Sequence, residues 1–117
     1  MIPKYRIWHK TRKQMFDLLT INFIDQVVNI ENEEIVINGE SFRNVILMQS
    51  TGLTDKNGVE IFEGDIVEAE RGLGIVELQP SHAPQITYKD GNDLLRFVYR
   101  FTTVFGNIYA NPELLEQ

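Results

Sequence analysis

Apolar side chains return at every second position over long stretches of this sequence, and that recurrence predicts a series of short β-strands. Residues 4–9 set Lys4, Arg6 and Trp8 against Tyr5 and Ile7, the alternation of an edge or hairpin strand. Residues 10–14 are polar and read as a turn. Over 15–24 the apolar positions fit a short helix or a strand, and the β-branched and aromatic Ile21, Phe23 and Ile24 tilt the reading toward strand. Residues 27–30 and 35–37 flank the polar tip Glu31-Asn32-Glu33-Glu34 as a hairpin would. Asn38-Gly39 predicts the next turn, and Val45-Ile46-Leu47-Met48 the next strand.

The strongest local signals are Asn57-Gly58 and Asp90-Gly91. A two-residue type I′ turn needs positive φ at both central positions, and these pairs supply it at low steric cost. Beyond the second pair, Leu95, Phe97, Tyr99, Phe101, Thr103 and Phe105 alternate with Leu94, Arg96, Val98, Arg100, Thr102 and Val104. Period two predicts one long strand with its aromatic set in the core and both arginines outside. Asn111-Pro112-Glu113 has the order of an N-cap, a first helical position and an acid in the first turn, so a short helix should close the chain. Residues 79–84, with two prolines, predict an irregular loop. In Glu63-Gly64-Asp65-Ile66-Val67, the glycine and a backbone-bonding aspartate should start a strand, followed by a glycine turn at 72–74 and a second strand. Small SH3-like barrels often begin a strand in this way.

Composition narrows the class without naming a chemistry. At 117 residues with 43% apolar content, one domain can bury about two-thirds of its unfolded surface and needs no staples. There are no cysteines, which removes disulfides and thiolate metal sites. No apolar run reaches the ~20 residues of a membrane-spanning helix, and the first residues lack a leader-like apolar stretch. These absences fit a cytoplasmic protein with no membrane association. Charge is uneven along the chain. Lys4, Arg6, Lys10, Arg12 and Lys13 give +5 within the first 13 residues, and the remaining 104 carry six basic and seventeen acidic side chains, net −11. An acidic body repels phosphate, so any nucleic-acid surface has to be local.

Three segments carry a family resemblance. Residues 47–67, LMQSTGLTDKNGVEIFEGDIV, resemble the signature of YopX-type proteins of phages and prophages. Residues 104–115, VFGNIYANPELL, resemble that family's closing segment, and Tyr5-Arg6-Ile7-Trp8 followed by Met15 is similar to its start. The resemblance implies a mainly β fold with a small SH3-like barrel element, additional N-terminal strands and a short C-terminal helix. It also implies one YopX-like domain over 1–117, with a strand and hairpin region at 1–44 and a barrel-like region at 45–117. It brings no catalytic residues and no cofactor.

Candidate chemistry is sparse. Lys4, Arg6, Trp8, Lys10, Arg12 and Lys13 form the one candidate binding surface, with Tyr5 and Trp8 to stack bases and cations to meet phosphates. The competing reading is a strand whose aromatics pack inward. Asp55, Glu60, Glu63, Asp65, Glu68 and Glu70 are acidic enough to attract a hard cation, but the glycine spacing of a calcium loop is absent, so they read as a turn and outward-facing acids. His9 and His82 stand in no ligand or acid–base motif. Arg71-Gly72-Leu73-Gly74 lacks phosphate-loop spacing. Met15, Phe16, Leu18 and Leu19 line either the core or a subunit interface. The reading is a non-enzymatic phage or prophage accessory module, without metal or cofactor. It acts by contact with a protein partner or by homo-oligomerisation, and nucleic-acid binding through the basic start is the alternative.

Overall fold

The structure is a computed structural model that describes residues 4–79 and 83–116. It is mainly β, built from two antiparallel sheets with a short helical turn near the C-terminus. The chain divides into two compact units, one up to Gln49 and one from Ser50. Each has its own apolar core. In the first it is Ile7, Phe16, Val28, Ile30 and Val45; in the second it is Ile61, Val67, Val76, Ile86, Tyr88 and Leu95.

In the first unit, β1 (Tyr5–His9), β2 (Gln14–Asn22), β3 (Val27–Glu31) and β4 (Val36–Ser41) form successive hairpins, and the first half of β5 (Val45–Thr54) pairs with β1. The order is β4-β3-β2-β1-β5, yet only Phe42–Asn44, one 3₁₀ turn, joins β4 to β5. In a flat sheet those strands stand four spacings apart, roughly 19 Å, and a connector this short reaches about 14 Å at most. The sheet therefore has to roll. β2 allows this: residues 14–17 pair with β1 and residues 17–22 with β3, with a bulge between Leu18 and Thr20.

Two sequence expectations change here. Phe23 and Ile24, read as strand, lie in the β2–β3 turn, 73% and 93% exposed, because β2 ends at Asn22. Asn22 turns the chain there, its Oδ1 accepting from the Ile24 and Asp25 amides at 3.0 and 2.9 Å. Asn38-Gly39 is not a turn but an irregularity inside β4, opposite Asn29. Gly39 holds φ +74° and its N–H donates to Asn29 Oδ1 at 2.8 Å, so the side chain replaces the missing ladder bond.

In the second unit, the rest of β5 pairs with β6 (Glu60–Phe62). β7 (Asp65–Ala69), β8 (Gly72–Leu78), β9 (Pro84–Tyr88) and β10 (Gly91–Leu94) form a meander. β11 (Thr103–Asn107) returns beside β7, giving the order β10-β9-β8-β7-β11. Among the described residues the sheet stays open and no closed barrel forms, β10 pairing only with β9 and β11 only with β7.

Reaching β11 from β10 means crossing from one edge of the sheet to the other. The chain does so through α1 (Leu95–Val98) and a 3₁₀ turn, Tyr99–Phe101. The single long strand predicted over 94–105 is thus broken. Leu95 and Thr102 are its fully buried residues, while Phe97, Phe101 and Phe105 are 68%, 71% and 49% exposed.

Turn chemistry differs from expectation as well. Asn57 and Asp90 have negative φ, and only Gly58 and Gly91 lie in the positive region. Residues 56–58 form a three-residue loop, with Gly58 N donating to Asp55 O and Asp55 N to Val59 O, a type I turn closed by a left-handed glycine. The β7–β8 turn falls at residues 70–71, so Gly74 is strand. A Cβ on Gly74 would stand 2.4 Å from the Ile86 side chain and 3.0 Å from the Thr87 carbonyl oxygen, so the strand needs glycine for packing. At the C-terminus the predicted helix is the 3₁₀ turn Pro112–Leu115. Asn111 makes no cap; its Oδ1 accepts from Asn107 N at 3.2 Å. Of the predicted 79–84 loop, residues 80–82 lie outside the described residues.

Candidate functional site

The residues of the basic start lie on two elements, β1 with the residue before it and the β1–β2 turn. Lys4 is exposed and Arg6 half-buried on β1. Lys10, Arg12 and Lys13 are exposed together on the β1–β2 turn, where Lys10 Nζ donates to Arg43 O at 3.0 Å. Trp8 is buried at 9% exposure, so the ring proposed to stack bases packs inward instead.

The acids of 55–70 also separate into distinct roles. Asp55 is buried, and its Oδ1 accepts from the amides of Asn57 and Val59 at 2.8 and 2.9 Å, its Oδ2 from Val104 at 2.9 Å. Burial pushes this carboxyl up, but the Val104, Val59 and Asn57 amides outweigh it and hold it below the usual carboxylate range. Asp65 Oδ2 accepts from Phe62 N, three residues before it, at 2.8 Å. Glu60 accepts from the Ser50 hydroxyl at 2.5 Å, and Glu68 and Glu70 point to solvent. Among the described residues no three His, Cys, Asp or Glu gather as metal ligands would.

His9, which has no sequence motif, is itself buried and sits in a partly buried hydrogen-bond cluster. Its Nε2 lies 2.5 Å from Glu40 Oε1, and Nδ1 accepts from Arg12 N at 3.2 Å with Thr11 Oγ1 also 3.2 Å away. Since Arg12 N–H occupies the Nδ1 lone pair, the proton belongs on Nε2 and is donated to Glu40. The spacing of Thr11, His9 and Glu40 resembles a nucleophile–base–acid relay, but the basic nitrogen is already engaged by the backbone of its own turn. Glu40 Oε2 accepts from Ser41 N and Asn44 Nδ2, both at 3.1 Å. The hydrogen bond from His9 and then that from Asn44 hold the Glu40 carboxyl below its ordinary range. The cluster clamps the end of β4 to the end of β1, across the roll of the first sheet. His82 lies outside the described residues.

In the second unit, Arg71 pins two turns together. Its guanidinium stands 3.2 Å from Asp90, 3.5 Å from Asp93 and 4.9 Å from the Tyr88 ring centre. Burial first, then the Asp93 charge, push the Tyr88 phenol up to about 12. A cavity of about 290 Å³ opens beside it, lined by residues of β8 and β9 together with Leu114 and Leu115.

The surface that sequence reading missed is the crossing segment. Phe97 and Phe101 project to solvent, with Arg96 4.9 Å over the Phe97 ring and Arg100 5.5 Å over the Tyr99 ring. Neither arginine has a carboxylate partner among the described residues. Leu95 is wholly buried at one end of the segment. At the other end Thr102 is buried, bonding to Tyr99 O through its hydroxyl at 2.8 Å and accepting from Lys56 N at 3.0 Å. The segment is thus anchored at both ends, with Arg96, Phe97, Arg100 and Phe101 as its exposed side chains. A sequence signal existed: phenylalanines and arginines each recur four apart, which suits a helical turn as well as a strand.

Fold and surfaces together define a small antiparallel β protein with two apolar cores and an exposed aromatic–arginine patch on its crossing segment. A profile of the YopX protein family matches residues 4–116, and the chain belongs to that family. Among curated proteins none matches it. Among solved structures it is similar to protein EF1440 from Enterococcus faecalis, at 28% identity and a TM-score of 0.67, covering 98% of this chain and 99% of that one. Among the described residues no helix is long and apolar enough to cross a membrane.

Proposed function

We propose that this protein is a non-enzymatic accessory module of phage or prophage origin. It acts in the bacterial cytoplasm by contact with protein, whether a partner or a second copy. The observation that carries this reading is the exposure of Phe97 and Phe101, 68% and 71%, on a segment anchored at both ends. Rigid, exposed aromatics beside arginine are the residue types that dominate contact energies, and exposing them costs a solvated protein something unless they are used. The strand order of the second unit, with a helical turn before the last strand, supports an SH3-like relationship, and that fold hosts many contact modules. Cross-linking in host lysate and analytical ultracentrifugation, on wild type and on Phe97→Ser/Phe101→Ser, test it. A complex or dimer lost only in the double variant supports the reading; complexes untouched by the substitutions defeat it.

A second reading, nucleic-acid contact, is favoured by one observation: Lys10, Arg12 and Lys13 share one exposed turn. Binding of this kind would weaken steeply with salt and disappear on reversing those charges.

A further inference from the structure

We infer that the crossing segment docks an acidic protein segment that also carries apolar side chains. This rests on the contact reading above and names the partner's chemistry. From residue 50 to the end the chain has five basic and eleven acidic side chains, net −6. Residues 94–101 contain no acid at all, and two of those five cations, Arg96 and Arg100, sit within them. Both are exposed and lack a carboxylate partner among the described residues. An unpaired arginine pair on an otherwise acidic unit is a local complement to carboxylates, and the acidic surroundings repel a partner that does not engage it.

The geometry suits a protein segment. Arg96 lies against the Phe97 ring and Arg100 against the Tyr99 ring, with Arg100 Nε donating to the Tyr99 hydroxyl at 3.1 Å. Stacking restrains each guanidinium and leaves N–H donors at its edge for bidentate carboxylate binding. Phe97 and Phe101 supply the apolar contact between the charges. Because Leu95 and Thr102 fix the segment, little ordering is left for the moment of binding. Two cations are few for a phosphate polymer, whose affinity grows with each phosphate neutralised, so a carboxylate partner fits better than nucleic acid.

The test is fluorescence anisotropy on the full chain with three labelled probes: a peptide of Glu-Glu-Leu-Leu repeats, its Lys-Lys-Leu-Leu counterpart, and oligothymidylate. The acidic peptide should bind, lose affinity with salt, and weaken by about tenfold or more in Arg96→Glu/Arg100→Glu, since paired charge-assisted bonds are removed and reversed. Phe97→Ser/Phe101→Ser should weaken it as well, and the basic peptide should not bind. Absence of acidic-peptide binding at low salt, or binding unchanged in both variants, overturns the inference. So does tighter binding of oligothymidylate that the arginine reversal abolishes, or a dimer that the phenylalanine changes abolish, which would give the patch to nucleic acid or to a second copy. If the acidic peptide fails while the phenylalanine variant still loses its cross-linked complex, only the partner chemistry falls. If that complex also persists, the contact reading falls with it.

Discussion

Asp55 ties the turn at 56–58 to β11 in the second unit. It is 5% exposed and accepts three backbone N–H bonds, two from its own turn and one from Val104 on β11, so it joins residues 49 positions apart. A hydrogen bond to a charged acceptor contributes about 1.5–3 kcal/mol net, and a buried N–H left unpaired costs about 1–3 kcal/mol. In Asp55→Ala, water can reach the amides of the exposed Asn57 and Val59 but reaches the half-buried Val104 poorly. The expected loss is about 3–5 kcal/mol. Asp55→Asn keeps one oxygen for the turn but faces the Val104 N–H with a second donor, so about 2 kcal/mol should be lost. The pH dependence follows the same chemistry. The folded carboxyl is held below its ordinary range, so its contribution is complete above the unfolded value of ~3.9 and disappears as pH falls through the lower folded value. Hydrogen exchange resolved by segment is the assay, with β7, β8 and β11 losing protection in both variants. Asp55→Asn as stable as wild type, or as costly as Asp55→Ala, would refute the argument from donor geometry.

Three further outcomes follow from the packing. Leu95→Ala should cost about 2–5 kcal/mol in chemical denaturation because it empties a fully buried site, whereas Phe97→Ser/Phe101→Ser should change stability by no more than about 0.5 kcal/mol per site; a reversed ranking would mean that these aromatics are core after all. Gly74→Ala should destabilise by about 1–3 kcal/mol, since its Cβ meets Ile86 and the Thr87 carbonyl, and a neutral thermal melt would show that β9 yields freely. Glu40→Gln should lower stability near neutral pH and flatten its fall in acid, because the lowered Glu40 pKa gives stabilisation that is present above ~4.3 and lost below it; an unchanged acid limb would remove the His9–Glu40 clamp from the account.

Local pattern was enough wherever neighbours in sequence are neighbours in space. The hairpins of the first unit, the turn expected at 10–14 (one residue longer than the observed one, since β2 starts at Gln14) and the strand after Gly64 follow from alternation and turn chemistry, because antiparallel pairing across short loops is a local property. Residues 94–105 defeat the pattern because phenylalanines four apart satisfy period two and a helical turn equally. What decides between them is the need to carry the chain from β10 to the far side of β7, a demand set by sheet order and invisible in a window of residues. The same limit applies to Asn38-Gly39, a turn signal placed in an irregular strand because Asn29 stands opposite. His9 and Glu40 are 31 positions apart, and only the rolling of the sheet brings them together. Alternation puts Arg96 and Arg100 outside, as they are, but their importance depends on Phe97 and Phe101, which the same alternation puts in the interior.

The sole indole of this chain belongs to the N-terminal half, at Trp8 on β1. Tryptophan fluorescence melts will therefore follow that half, while the far-ultraviolet dichroism of the eleven strands among the described residues follows both. If the two curves separate, two-state bookkeeping no longer applies, and a partly molten species with one interior still ordered becomes something that can be isolated and studied by titrating denaturant.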